Sequence, residues 1–240
     1  MTRTLVATCT LNESDNIAEF LAAMRSAMPS ADLLVVDDNS PDGTASLVRQ
    51  FAEKDGNTFI VVRDARGLGG AVKAAMHFAI EGDYEIFCNL DADFSHPPKQ
   101  LGEMHSMIEN DASIDVLVGS RYVAGGRIEG WPWRRRMMSR MVNGIATRLV
   151  GLPVRDCSGS MRCYRVSKLR QLGMENLTSE GYAIFEELLL KLHRIESKFV
   201  EHPITFVDRE LGQSKLTLGE AIKAVARMFT LALSRLRPAR

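Results

Sequence analysis

The segment Glu85–Pro98 reads Glu-Ile-Phe-Cys-Asn-Leu-Asp-Ala-Asp-Phe-Ser-His-Pro-Pro, and it decides the fold class. Its apolar run is typical of a buried strand, and the run ends in Asp91 and Asp93. Because alternate residues of an extended chain project to the same side, we expect these two carboxylates to lie together. A hard divalent cation with oxygen ligands would offset their repulsion. The alternative is an ordinary polar turn or helix cap before Pro97 and Pro98.

A second apolar run ends in the same way upstream. Residues Leu33–Thr44 read Leu-Leu-Val-Val-Asp-Asp-Asn-Ser-Pro-Asp-Gly-Thr, and Ser40 and Pro41 suit the N-cap and first position of a helix. Buried parallel strands are continuous apolar runs, and ligands of open α/β sheets bind beyond the carboxyl ends of the strands. Two strands that both end in aspartates therefore predict one crevice that both strands line.

Strand and helix patterns alternate through the first half of the chain, which predicts an α/β fold with a parallel, doubly wound sheet. Strands are expected at residues 4–10, 33–37, 58–62, 86–90 and 114–118. Beyond residue 125 we expect a loop, a basic helix at 134–150, strands at 160–164 and 198–208, and a helix at 182–196. Residues 1–216 are interpreted as one catalytic domain.

The last segment, residues 217–240, has the pattern of an amphipathic helix with a wide apolar face and a basic stripe. Such a helix either packs on the core or lies on an anionic membrane surface. No stretch reaches the roughly 18 apolar residues of a spanning helix.

Bulk composition excludes few classes of protein. The 240 residues are 45% hydrophobic and 25% charged, which is ordinary for a globular protein. Thirty basic and thirty acidic residues balance, so net charge does not point to nucleic acid. The start of the chain does not resemble a signal peptide. Four cysteines without a C-x-x-C pair predict buried thiols in a reducing cytoplasm.

Three enzyme classes lack their motifs. The Gly67–Gly70 turn is only half of a dinucleotide fingerprint and follows the third strand, so a Rossmann dehydrogenase is rejected. The chain has no phosphate-binding G-x-x-x-x-G-K-[ST] loop. Residues Ser158–Ser160 lack the frame of a hydrolase nucleophile. His96 is either a further ligand beside the acidic pair or, as we prefer, a loop histidine packed near the prolines.

The pattern of strands and helices does not explain the positions of several arginines. Arg121 follows a strand and could face the acidic crevice, and Arg134–Arg136 follow an aromatic loop. Consecutive helical residues fan around the axis, so the three cannot all face one ligand. They form either a solvated basic face or a pocket for an anion such as phosphate. Arg209 and Lys215 would suit a diphosphate.

Together these motifs strongly resemble the polyprenyl-phosphate (dolichol-phosphate) mannose synthases of glycosyltransferase family 2. Their GT-A (Rossmann-like) fold implies a mixed, mainly parallel sheet flanked by helices. The resemblance covers nearly the whole chain, in order, as far as Leu216. Its most specific parts are Asn12-Glu13, Val36–Thr44, Gly67–Gly69, Asp91–Pro98 and Gly119–Tyr122.

The resemblance implies a role for each matching residue. Nucleotide-sugar binding is implied for Asn12, Glu13, Val36, Asp38, Asp91, Ala92, Asp93, Arg209 and Lys215. Asp91 and Asp93 would hold Mg²⁺ or Mn²⁺, and Arg121, Arg135 and Ser139 would hold the acceptor's phosphate. Asp91, Asp93, Arg121 and Arg135 would be the catalytic residues.

The implied activity is inverting transfer of mannose from GDP-mannose to a polyprenyl monophosphate. Such an enzyme would be peripheral on the cytoplasmic face of a membrane, with small membrane-spanning subunits as possible partners. UDP-glucose is the alternative donor. Departures from the family pattern at Ser158–Met161 and Phe185 leave a degenerate, non-catalytic homologue open. A nucleotidyltransferase also uses acidic strand ends but leaves the basic loop unexplained.

Overall fold

The structure is a computed structural model that describes residues 2–208, so the expectations for Arg209, Lys215 and residues 217–240 lie outside it. The strands are β1 (Thr4–Thr10), β2 (Asp32–Asp37), β3 (Thr58–Val62), β4 (Ile86–Asn89), β5 (Val116–Ser120), β6 (Arg127–Glu129), β7 (Arg162–Arg165), β8 (Phe199–Pro203) and β9 (Thr205–Val207). The helices are α1 (Ile17–Ala27), α2 (Thr44–Asp55), α3 (Leu68–Glu81), α4 (Pro98–Asn110), α5 (Trp133–Val150), α6 (Val166–Leu172) and α7 (Ala183–Arg194).

Seven strands form the central sheet in the order β3-β2-β1-β4-β7-β5-β8. Only β7 runs antiparallel to its neighbours, β4 and β5, among the strands of this sheet. The predicted mixed, mainly parallel sheet is confirmed. A separate pair, β6 and β9, forms a small parallel sheet. The carboxyl ends of β1, β2 and β4 therefore meet at one edge, where the acidic motifs lie.

The sheet is buried on both faces because alternate side chains of its strands enter different layers. Leu34 and Val36 of β2 belong to the core layer built with α3 and α7, whereas Leu33 and Val35 belong to the layer built with α1 and α4. All four residues are at most 2% exposed. A continuous apolar run is what a strand in this position requires.

Two helices begin later than their sequence patterns indicated. The polar segment Asn12–Ser14 predicts a helix cap, yet the first helix starts at Ile17. The second starts at Thr44 rather than at Pro41. The reason for the second difference is that Ser40 binds back to Asp37 instead of capping the helix. Most other bounds shift by one or two residues. The strand expected at 198–208 is divided into β8 and β9, which belong to different sheets, and β6 and α6 were not anticipated.

All four cysteines are free thiols; Cys88 is buried, as predicted, whereas Cys9, also predicted to be buried, is only partly buried. No helix in residues 2–208 is long and apolar enough to cross a membrane.

Candidate active site

The aspartates that end β2 are held by the protein itself. Asp37 is fully buried and accepts hydrogen bonds from the Thr10 hydroxyl at 2.8 Å and from the Ser40 amide at 2.8 Å. Asp38 accepts from the Arg63 guanidinium at 2.6 Å and from the Gly67 amide at 2.7 Å. These carboxylates tie β1, β2 and the start of α3 together. Asp38 reaches the predicted nucleotide site, but as part of an ion pair.

The turn that contains Asn12 and Glu13 is docked onto the loop after β2. The Asn12 amide donates to the Ser40 hydroxyl at 2.9 Å, and the Glu13 amide donates to Thr44 at 3.0 Å. Asn12 has a positive φ of 57°, which a short polar side chain tolerates. Together these contacts bring Asn12 and Glu13 to the same edge of the sheet as Asp38.

Asp42 stabilises the loop after β2 through hydrogen bonds of its side chain. It accepts hydrogen bonds from Thr44 at the start of α2 and from the Ser14 amide. Burial alone would raise the pKa of Asp42, but these hydrogen bonds outweigh it and lower the pKa to about 2. The side chain therefore stays ionised and keeps both loops in place.

The second acidic motif leaves the sheet differently. β4 ends at Asn89, and Asp91 and Asp93 follow in an irregular turn in which both residues are only partly buried. The Asp91 side chain is 38% exposed. Asp93 accepts a hydrogen bond from the Ser95 amide at 3.0 Å. Ala92 is buried, as is Val36 of β2, so these two residues can offer a ligand only their backbone.

His96 lies beneath this turn and is 1% exposed. Its ring packs edge-on against Phe206 at 5.2 Å between centroids, so the prediction of a packed loop histidine is consistent with the structure. Neither ring nitrogen has a hydrogen-bond partner within residues 2–208, and Nδ1 lies 3.6 Å from the carboxylate of Asp91. Burial lowers the pKa of His96 although Asp91 opposes the shift, which keeps the ring neutral.

The turn has the donor set of a shared metal ion rather than of a closed metal centre. No three His, Cys, Asp or Glu side chains of the described chain come together around a possible ion. Asp91 and Asp93 supply carboxylates, and the unpartnered nitrogens of His96 are close by. Mg²⁺ and Mn²⁺ suit one or two carboxylates completed by substrate phosphates. The residues fit an ion that arrives with a diphosphate.

Arg121, just after β5, is buried and held by Asp156. Its Nε and Nη2 atoms donate to the two carboxylate oxygens of Asp156 at 2.7 and 2.8 Å, and its backbone amide donates to the same group. Nη2 also donates to the Ser158 hydroxyl at 2.9 Å. Burial would raise the pKa of Asp156, but the guanidinium outweighs it and lowers the pKa. Arg121 is thus a fixed cation at the strand end, as the sequence predicted.

Trp131 brings Arg121 and Arg135 to one place. The guanidinium carbons lie 5.8 Å and 3.9 Å, respectively, from the centroid of the Trp131 ring. The indole N–H donates to Asp208 at 3.0 Å, and Arg135 lies 3.4 Å from the same carboxylate. The two predicted acceptor arginines are therefore neighbours, and an aromatic ring and an acid fix the position of the second one.

An arginine-rich pocket of about 580 Å³ opens beside this cluster. Its walls include Arg121, Arg127, Arg136 and Arg140, with Glu129 as the single acid. The neighbours of Arg136 and Arg140 on α5, Arg135 and Ser139, are not among the lining residues. Ser139 instead bonds the Tyr122 hydroxyl at 2.7 Å. The consecutive arginines of α5 do diverge, as helical geometry requires.

Gly126, in the pocket wall, permits a close approach of two chain segments. A Cβ at this position would lie 2.6 Å from the backbone oxygen of Ser120. No side chain fits there, so only glycine lets the chain approach the backbone of Ser120 and Arg121 this closely.

Phe206 of β9 joins the acidic turn to the basic pocket. Its ring contacts His96 on one side and lies 5.3 Å from Trp131, while the guanidinium of Arg121 is 5.4 Å from its centroid. The Val207 amide donates to the backbone of Ser95 at 3.0 Å. The two predicted half-sites are therefore adjacent, and the ring of Phe206 lies between them.

A buried acid lies behind the crevice. Glu186 is 6% exposed, and one of its carboxylate oxygens has no hydrogen-bond partner in the described region. Burial raises its pKa to about 7, and Arg162 only partly opposes the shift. Arg162 itself donates to the backbone oxygens of Phe185 and Cys157, so it anchors α7 to the loop that carries Asp156.

Sequence reasoning missed the residues that hold the predicted ones. Arg63, Asp156 and Trp131 are the partners of Asp38, Arg121 and Arg135, and none carries a local signal of that role. The separation of 35 residues between Arg121 and Asp156 has no periodicity to reveal it. A lone acid in a loop after a basic helix was the only hint.

Comparison with known proteins agrees with this geometry. Residues 5–173 match the model of glycosyl transferase family 2. An undecaprenyl-phosphate mannosyltransferase of Micrococcus luteus is 36% identical over 229 residues, which is 94% of this chain and 93% of that protein. A polyprenol monophosphomannose synthase of Mycolicibacterium smegmatis is 36% identical over 217 residues, 90% of this chain and 81% of that protein.

Among solved structures, a similar fold occurs in glucosyl-3-phosphoglycerate synthase from Mycobacterium tuberculosis, crystallised with Mn²⁺, UDP and phosphoglyceric acid. The TM-score is 0.70 at 16% identity, and the match covers 99% of this chain and 80% of that one. This likeness concerns the fold, which is of the GT-A type, as expected. By its family match and its relatives, the chain belongs to glycosyltransferase family 2.

Proposed function

We propose that this protein transfers mannose from GDP-mannose to a polyprenyl monophosphate and inverts the anomeric centre. The observation that carries the proposal is that Phe206 contacts both His96, in the acidic turn of Asp91 and Asp93, and the guanidinium of Arg121. An acidic end suits a metal-bound diphosphate, and a basic end suits a phosphate. The names of the two relatives support mannose as the sugar and a polyprenyl phosphate as the acceptor.

At the donor end, the nucleotide would lie along the carboxyl ends of β1 and β2, near Asn12, Glu13 and Asp38. Arg209 and Lys215 would complete this end from outside the described residues. Asp91 and Asp93 would hold Mg²⁺ or Mn²⁺, and the Mn²⁺ in the M. tuberculosis synthase supports a divalent ion. A bound ion would supply charge neutralisation on the leaving diphosphate.

At the acceptor end, Arg121 would orient the phosphate and keep it from drifting. Asp156 accepts two hydrogen bonds from the guanidinium and so fixes its orientation. The side chain of Arg121 therefore loses little conformational freedom when the phosphate binds. A phosphate oxygen is already ionised near neutral pH, so no enzymic base needs to remove a proton. The arginines near Trp131 and in the pocket would place this oxygen on the face of the sugar opposite GDP.

The reaction is then one displacement. The phosphate oxygen forms a bond to the anomeric carbon of mannose while the bond from that carbon to the β-phosphate oxygen of GDP breaks with its electron pair. GDP leaves, no proton is transferred, and the product is the β-linked lipid-phosphate mannose. Catalysis rests on positioning and on charge stabilisation.

Because the acceptor is a lipid, we propose that the protein works peripherally at the cytoplasmic face of a membrane. Residues 1–216 would be the catalytic domain. Small membrane-spanning subunits are partners that the family resemblance suggests.

A transfer assay tests the donor, the acceptor and the requirement for metal together. Purified full-length protein is given radiolabelled GDP-mannose or UDP-glucose, Mg²⁺ or Mn²⁺, and a polyprenyl phosphate, and label extracted into organic solvent is counted. We expect extraction from GDP-mannose only, loss with EDTA and recovery with added metal. The one-bond carbon–hydrogen coupling at the anomeric centre of the product reports inversion.

Other outcomes would reject parts of the proposal. Transfer from UDP-glucose alone would assign the other donor. No turnover with any nucleotide sugar, while GDP still binds, would favour the degenerate homologue that the departures at Ser158–Met161 and Phe185 suggested.

A further inference from the structure

One helix carries nearly all the large apolar side chains that the described chain leaves exposed. On α5 these are Trp133 (61% exposed), Met137 (60%), Met138 (56%), Met141 (57%), Ile145 (49%) and Leu149 (43%). Elsewhere in residues 2–208 only Val62 and Met107 belong to the same class, at 39% and 38%. Scattered exposed apolar residues are normal, but six on one helix form a surface of a different kind.

These six side chains lie opposite the face by which α5 packs on the protein. Its buried residues are Asn143, Ala146 and Val150. With about 100° of rotation per residue, the six exposed side chains span an arc of about 160°, centred about 180° from the buried three. A helix of a soluble domain normally turns polar residues outward. Packing within the described chain therefore does not explain this stripe, which we call the outer face of α5.

The charge of α5 has one sign. The helix carries five arginines and no acidic residue. Arg135 pairs with Asp208, whereas Arg134, Arg136, Arg140 and Arg148 form no ion pair with any residue in 2–208. Arg134 and Arg148 emerge within the apolar arc, Arg140 emerges about 20° outside it, and Arg136 emerges about 60° outside it. Their long stems can lie along apolar surface while the charged ends reach outward.

We propose that the outer face of α5 lies on an anionic phospholipid bilayer, parallel to the membrane plane. A helix with Trp on one side, arginines at the border and low net hydrophobicity is suited to the interface. The helix is about 27 Å long, so several lipid head groups would lie under it. The proposal rests on the proposed function, because a polyprenyl acceptor keeps its chain in the bilayer.

The position of the pocket supports this occupant. Arg136, Met137 and Arg140 line the arginine-rich pocket, and Met137 also belongs to the outer face of α5. A lipid phosphate held in the pocket would thus have its hydrocarbon chain beside the apolar stripe. Membrane contact and acceptor entry would occur along one edge of the same helix.

Charge argues against the two other occupants. In a two-fold dimer built on this face, each patch would meet a copy of itself, and arginines would oppose arginines. Residues 215–240 have six basic residues and one acid, so they would not complement α5 either. Anionic lipid phosphates supply the opposite charge, at about 1 kcal/mol for each basic residue near the surface.

Vesicle co-sedimentation of the full chain tests the surface. The triple variant Met141→Ser/Ile145→Ser/Leu149→Ser changes outer-face residues that do not line the pocket, and Val62→Ser/Met107→Ser is the matched control on other elements. We expect the triple variant to lose at least about tenfold in partitioning onto phosphatidylglycerol vesicles, and the control to bind like wild type. Arg148→Gln should weaken binding and its salt dependence, whereas Arg49→Gln on α2 should not.

Fluorescence locates the contact without relying on partitioning. Trp131 and Trp133 are the two tryptophans, so Trp131→Phe leaves Trp133 as the only reporter. We expect a blue shift on anionic vesicles and quenching by brominated lipids. If Trp133 is already shielded from acrylamide in the absence of vesicles, another segment or a second copy covers the face and the proposal is overturned.

A water-soluble acceptor separates this proposal from the proposed function. With a short-chain prenyl phosphate the triple variant should match wild type, whereas with a long-chain acceptor in vesicles its rate should fall at least about tenfold. If the triple variant binds vesicles like wild type, the docking surface is wrong even though transfer stands. If wild type transfers to neither acceptor but binds vesicles through α5, the proposed function fails and the surface remains.

Discussion

The two strand ends that look alike in sequence, Asp37-Asp38 after β2 and Asp91/Asp93 after β4, occupy opposite kinds of environment. Asp37 and Asp38 are 0% and 5% exposed and are held by donors from other parts of the chain. The Asp91 side chain is 38% exposed, above a histidine whose nitrogens have no partner in residues 2–208. The first pair builds the crevice, and the second faces into it.

This difference shows that the surroundings of a carboxylate, and not the motif in which it occurs, indicate whether it has a structural or a functional role. A buried, fully hydrogen-bonded acid should cost stability when it is removed. An exposed acid at the crevice should cost activity instead. At the basic end Arg121 combines both properties, because it is buried against Asp156 and also lines the pocket, whereas Arg136 is exposed in the pocket wall.

The largest effect on activity is expected when the exposed Asp93 is compared with the buried Asp37. Asp93→Asn should reduce transfer by at least about 100-fold and leave thermal stability unchanged, because it removes a charged ligand that helps stabilise the leaving diphosphate. Asp37→Asn should instead lower stability by about 1–3 kcal/mol, because its hydrogen-bonding network is buried. Initial rates and urea unfolding of both variants decide. An active, metal-dependent Asp93→Asn enzyme would contradict the assignment.

Asp156→Ala extends the comparison to the basic end. It leaves the Arg121 guanidinium buried without its partner, which should cost about 3–5 kcal/mol of folding free energy. The double variant Arg121→Met/Asp156→Leu should recover much of that stability but not activity, because no charge is left buried. Chemical denaturation measures both. A double variant no more stable than Asp156→Ala would show that the pair's charges are not what matters.

Glu186 is buried like Asp37 but lacks its partners, so its effect should depend on pH. Burial raises the pKa of Glu186 from its ordinary value of 4.5 to about 7 in the folded protein. Between those values the folded state holds a proton that the unfolded chain releases, so stability falls as pH rises through the window. The loss should reach about 3 kcal/mol by pH 8.

The variant Glu186→Gln should remove this dependence, matching wild type at pH 4.5 and exceeding it in melting temperature at pH 8. The exposed Glu175→Gln serves as the control. If the melting temperatures of Glu186→Gln and wild type change with pH in the same way between pH 4.5 and 8, the assignment is refuted.

The smallest effect is expected at the pocket wall. Arg136→Ala should raise the KM for a short prenyl phosphate by about fivefold to tenfold and leave GDP-mannose affinity unchanged, since exposed charge contacts are individually weak. Arg135→Ala, measured alongside, tests the family-implied residue, and Arg49→Ala is the control. If Arg135→Ala alone raises the KM, the phosphate lies against Trp131 rather than in the pocket.

The fold was largely predictable, because buried parallel strands are apolar along their whole length. The runs at Thr4–Thr10 and Thr58–Val62 match β1 and β3 to the residue. β6 has only three residues and two of them are exposed, so it left no pattern. The insertion of β7 between β4 and β5 depends on long-range pairing, which local periodicity does not encode.

The site was predictable in its motifs but not in its contacts. The acidic turn and Arg121 were found because strand ends meet at one edge of the sheet. Arg63 forms an ion pair with Asp38, and Arg135 contacts Trp131 and Asp208. Local sequence patterns do not predict these contacts, because Arg63 and Asp208 are far in sequence from their partners. The resemblance to the family assigns roles to individual residues, but it does not show which of their side chains are already hydrogen-bonded or ion-paired within the protein.

Phe206 gives the two ends of the crevice a common element, and this has a thermodynamic consequence. A ligand at the acidic turn that changes how this ring packs on His96 also changes its packing on Trp131 and Arg121. Any factor by which donor binding alters affinity for the acceptor must then appear, unchanged, in the acceptor's effect on the donor. A single aromatic ring on a three-residue strand would thus couple the binding of the two substrates.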